Sequence, residues 1–91
     1  MLFHVSYDYA GTDRDAVQAR FLETGAPPPE GVEMVGRWHD AGGNRGFLVA
    51  ETDDLQALAR WLQGWTDSVS FDVAPVLTDE AFAAVITAGS G

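Results

Sequence analysis

"VEMVGRWHDAGGNRGFLVAET", residues 32–52, decides the fold. Its two flanks, Val32 to Asp40 and Phe47 to Thr52, are rich in β-branched and aromatic residues and read as strands. Between them lies "AGGNRG", where adjacent glycines and an asparagine suit a turn that needs positive φ. The stretch is therefore a hairpin. The glycine cluster lacks the lysine and the following helix of a phosphate-binding loop.

Working outward, the N-terminal side holds a strand and a helix. Residues 2 to 9 alternate, with Phe3, Val5, Tyr7 and Tyr9 on one face and His4, Ser6 and Asp8 on the other. "GTDRDAVQARFLETG" is expected to be a helix capped by Thr12 with Asp15 three residues on. Val17, Phe21 and Ala16 or Leu22 form its apolar side, and Gly25 stops it ahead of three prolines. On the C-terminal side, "TDDLQALARWLQG" is a second helix, capped by Thr52 or Asp53, with a stripe of Leu55, Leu58, Ala59 and Leu62. Ser68 to Val76 is a fourth strand with Val69, Phe71 and Val73 on one face and Ser70 and Asp72 on the other. A short terminal helix capped by Thr78 follows.

The order β-α-β-β-α-β is the ferredoxin-like α+β arrangement: a four-stranded antiparallel sheet with both helices on one face. Strand one belongs between strands three and four. The other sheet face then carries His4, Ser6, Asp8, Ser70 and Asp72, which cannot form a dry core. A second copy packed sheet to sheet would shelter that face and make a dimeric α/β barrel.

Length and charge narrow the classes further. Ninety-one residues fit one domain, read as 1–88 with a fraying tail at 89–91. Five basic against fourteen acidic residues, a formal charge of −9, argue against nucleic acid and anionic membranes as partners. No apolar run approaches the roughly 20 residues of a membrane span. The segment "MLFHVSYDY" has no basic n-region, so a cytoplasmic location is expected. The absence of cysteine excludes disulfides, zinc–thiolate sites and thiol catalysis. Self-association is the remaining common way for so small a chain to bury more apolar area.

"MLFHVSY", "RFLETGAPPPEGVEMVGRWHD", "GFLVAETDD" and "DVAPVLTDE" together resemble the small bacterial domain-of-unknown-function 3303 family. That resemblance spans nearly the whole chain and implies kinship with the dimeric α/β-barrel superfamily. The superfamily includes cofactor-free oxygenases, cyclases and isomerases, haem enzymes, and proteins that only bind or sense. The resemblance supports the fold and a homodimer; it assigns no reaction.

Candidate site residues centre on "GRWHD". His39 is a candidate general base, since imidazole titrates near neutral pH; the plain alternative is a polar edge histidine. In a regular strand Arg37 and His39 share one face, and Gly36 and Trp38 share the other. Only a bulge or the strand end brings Trp38 and His39 together. Arg37 is a candidate anchor for an anionic group, with a surface ion pair as its alternative, as for Arg45. Trp61 and Trp65, with Trp38, Phe21 and Phe47, either wall an aromatic pocket between helices and sheet or simply pack the core. His4 with Asp72, near Ser6, is a second candidate proton-transfer pair or a hydrogen-bond network. No histidine spacing marks a metal site, and no cofactor is expected. Two readings follow: a small-molecule-binding domain doing cofactor-free proton transfer on an apolar or aromatic substrate, or a non-catalytic sensing or interaction module.

Overall fold

The computed structural model describes residues 1–90. Strands β1 (Leu2–Asp8), β2 (Glu33–His39), β3 (Arg45–Glu51) and β4 (Ser70–Val76) form one antiparallel sheet in the order β2-β3-β1-β4. Helices α1 (Arg14–Thr24) and α2 (Leu55–Gln63) join them, and α3 (Asp79–Ser90) follows β4. This is the ferredoxin-like topology expected from the sequence, with β1 in the centre.

One sheet face carries the core. Phe3 and Val5 of β1 and Leu48 and Ala50 of β3 are buried against Ala57, Leu58 and Leu62 of α2. Val17 of α1 is buried as well. The opposite face shows His4, Ser6, Asp8, Ser70 and Asp72, as the alternation requires; the strand register pairs Ser6 with Asp72 and Asp8 with Ser70.

Local signals act mostly where expected. Gly25 takes the left-handed conformation, φ 73°, and donates its N–H to the Phe21 carbonyl at 2.7 Å, ending α1. The expected Thr12 cap does not form. A 3-10 turn at Gly11–Asp13 intervenes, in which the Asp13 N–H goes to the Ala10 carbonyl at 2.9 Å, and the backbone satisfies itself without a side chain. The cap of α2 is Asp54, whose carboxylate accepts from the Ala57 N–H at 3.0 Å. Thr52 is buried one turn earlier, donating to the Gly31 carbonyl at 2.6 Å and accepting from the Asp54 N–H at 2.9 Å. Asp53 instead meets the Met1 amino group.

The buried stripe of α2 is rotated from the expected one. Ala57 joins Leu58 and Leu62 inside, while Leu55 and Ala59 are exposed. The helix face of β4 is correspondingly bare, with Val73 43 % exposed. Thr78 caps α3 as expected, accepting from the Ala81 N–H at 3.1 Å. That helix runs through Ser90; Gly91, the end of the tail expected to fray, lies outside the described residues. The radius of gyration is 15.4 Å, against about 12 Å for a compact chain of this length.

Candidate functional site

The site begins with a bulge in β2. Met34 pairs with Ala50, but the next paired residue, Gly36, faces Val49, so Val35 is extra. One extra residue inverts the parity of everything beyond it. Arg37 therefore aligns with Leu48 and His39 with Gly46, on the helix side of the sheet. Trp38 aligns with Phe47 on the open side.

A cross-strand row then forms the chemistry. Tyr7 of β1 pairs with Gly46 of β3, and Gly46 pairs with His39 of β2. With no side chain at Gly46, the Tyr7 ring lies across β3, and its phenol oxygen comes within 2.5 Å of His39 Nδ1. A Cβ on Gly46 would collide with the Tyr7 phenol and the Trp38 carbonyl. Phe21 of α1 meets the His39 ring edge-on at 5.3 Å.

Beside this pair lies a cavity of about 330 Å³ between α1, α2 and the sheet. Its walls include Phe21, Leu48, Trp61, Trp65 and Phe71. Its other polar neighbours are occupied. Tyr9 Oη and Gln18 Nε2 both donate to the Gly43 carbonyl, at 2.5 and 3.1 Å, tying the hairpin turn to α1. Gly43 has φ 93° at this turn. Arg37 donates from Nη1 to the Ala26 carbonyl at 2.8 Å and from Nη2 to the Gly25 carbonyl at 2.9 Å. Its guanidinium also lies 4.9 Å from the centre of the Phe21 ring. The arginine thus fastens the end of α1 to β2.

Burial shifts both groups. Desolvation raises the Tyr7 phenol above the ordinary tyrosine value, partly offset by the Arg37 charge, and lowers Arg37. Between pH 10 and the higher folded value of Tyr7, the unfolded chain has lost a proton that the fold retains. Stability from this group is therefore complete below pH 10 and declines as pH rises through the folded value. Phenolate absorbance is expected to show a late-titrating component that Tyr7→Phe removes; a wild-type titration without it contradicts the buried placement.

The structure brings together His39, Arg37, Trp61, Trp65 and Phe21 around one cavity. It corrects the expected placing of Trp38 and Phe47 in that wall. The bulge sends Trp38 to the opposite face, where the alternation of β3 already places Phe47, and their rings stack at 5.2 Å. Gly36 is the close-approach glycine there, since a Cβ on it would strike the Trp38 ring. His4 stacks on Phe47 at 5.2 Å, extending the stack to three rings across three strands. Asp72 pairs in register with Ser6, and His4 with Ala74, one step along the strand. The histidine's ring contact is thus the Phe47 face. Arg45 is a surface ion pair with Asp40, at 3.3 Å. Trp65 is overlaid by Arg20 at 4.0 Å. Among the described residues, no group of three or more acidic or histidine side chains is placed to hold a metal ion, and no helix is long and apolar enough to cross a membrane.

Sequence reasoning missed Tyr7 and Gly46. Tyr7 looked like one more inward aromatic of β1. The available signal was Gly46 inside a strand, which marks close approach of another group.

Comparison with curated proteins finds no match, and comparison with solved structures finds none. A family model described as a domain of unknown function, DUF3303, matches residues 1–90. With nearly its full length matched and the α+β sheet in place, the chain belongs to the DUF3303 family.

Proposed function

We propose that the cavity between the helices and the sheet binds a flat, uncharged, largely apolar molecule and that Tyr7 and His39 move a proton at its edge. The observation that carries this reading is the phenol–imidazole pair beside a largely apolar cavity whose other polar side chains are already hydrogen-bonded or ion-paired. Specific small-molecule sites commonly have such walls, with few polar groups fixing orientation. The volume, about 330 Å³, suits two or three fused rings.

Tyr7 is half-buried and His39 is exposed, which gives the pair a direction. A ligand proton passes to the phenol oxygen as the phenol proton passes to His39 Nδ1. The imidazolium then releases a proton from Nε2 to water. The ligand, left as its anion, takes a proton back along the same path in reverse, which restores both side chains; over this round trip atoms and charge balance without a cofactor. The two terminal nitrogens of Arg37 that could clamp a carboxylate already hold the Gly25 and Ala26 carbonyls, which favours an uncharged ligand.

The probe is 2-naphthol, with 2-naphthoate as its charged counterpart. Titration is expected to shift the indole N–H resonances of Trp61 and Trp65 and leave that of Trp38 in place. Naphthoate is expected to bind at least tenfold more weakly. Equal shifts at all three tryptophans, or none, overturn the assignment of the cavity.

A further inference from the structure

Helix α3 and the helix side of β4 both expose apolar side chains. Leu77, Phe82 and Val85 are 61, 55 and 55 % exposed. Phe82 and Val85 are three apart, on one side of the helix. The molecule's longest dimension is 53 Å. A seven-residue strand, a two-residue link and a twelve-residue helix laid end to end run to about 48 Å. The helix therefore continues outward from β4 and does not fold back on it.

The surface without a cover is the groove between α2 and β4, about 980 Å³, lined by Leu55, Ala59, Leu62, Phe71, Val73 and Pro75 among others. Asp53, paired with the Met1 amino group, carries the one charged side chain among those lining it. A groove beside a seven-residue strand is about 23 Å long, and a twelve-residue helix is about 18 Å.

We infer that α3 of one copy seats in the α2–β4 groove of a second copy, with the exchange made both ways about a two-fold axis. Two observations select a second copy as the occupant. The arm points away from its own groove. Beyond Asp79 and Glu80 in its first turn, α3 carries no charged side chain, so in a chain of charge −9 its outer turns approach another copy with little repulsion. Leu62, Val69 and Phe71 line both the groove and the cavity described above, so a seated arm would also back the cavity wall.

The test is sedimentation of the full chain with two variants at exposed positions, Phe82→Asp in the arm and Val73→Asp in the groove. Wild type is expected to be a dimer at micromolar concentration, and each variant to raise its dissociation constant at least tenfold. Mixing the two variants is expected to recover dimer, because one arm and one groove remain intact in the mixed pair. A monomeric wild type overturns the exchange, whether or not the arm folds back on its own chain. Dimers indifferent to both variants but split by Trp38→Asp overturn it in favour of sheet-to-sheet packing. Failure of the mixture to recover dimer overturns it, and so does a loss confined to Phe82→Asp, which arm-to-arm pairing would give. None of these readings depends on a ligand in the cavity.

Discussion

Gly46→Ala is expected to lower the unfolding free energy by about 3 kcal/mol and to separate Tyr7 from His39. The added methyl has nowhere to go. On one side it meets the Trp38 carbonyl, which belongs to the β2–β3 ladder and cannot swing aside. On the other it meets the Tyr7 phenol, which can only lift away from the sheet. Either outcome moves the phenol from the imidazole. Gly42→Ala is the matched control, since nothing lies within 4 Å of its would-be Cβ, and it is expected to change stability by less than about 0.5 kcal/mol. Urea unfolding of the two variants decides. If Gly46→Ala costs no more than Gly42→Ala, the ring does not lie across β3.

Much of this was legible in the chain. The hairpin at residues 32–52, the alternation of β1 and the stops at Gly25 and before the prolines give the strand and helix order, because each is a local effect of φ, ψ or side-chain period. The separation of Trp38 from His39 was legible for the same reason. Which of them faces the helices was not. That depends on the parity of β2 against β3, and a single extra residue at Val35 reverses it. An edge strand tolerates such a bulge because its outer side has no ladder to break. The cavity walls were half legible: Trp61 and Trp65 line it, but helical spacing alone did not say that α2 would turn Leu55 and Ala59 outward. The Tyr7–His39 contact spans two strand spacings, and no local pattern encodes a distance of that kind. Only the glycine between them hinted at it.

The largest functional effect is expected at Tyr7. A bound flat ketone, 2-tetralone, offers an acidic C–H next to its carbonyl, and its exchange with deuterium from the solvent measures proton transfer directly. The wild-type chain is expected to speed this exchange by about 100-fold or more over buffer, the lower range for a positioned acid–base group. Tyr7→Phe keeps the ring and the cavity wall and removes only the oxygen that meets the imidazole and, in the proposed relay, the ligand. Its binding of 2-tetralone is expected to stay within threefold of wild type while the exchange rate falls to near that of buffer. His39→Ala leaves the phenol in place but takes away the group that passes its proton to water, so a smaller loss is expected. The two variants together are expected to lose no more than Tyr7→Phe alone, because a relay fails at its first missing member. Additive losses would mean that Tyr7 and His39 act on the ligand separately, and exchange no faster than in buffer would leave the cavity as a binding site without this chemistry.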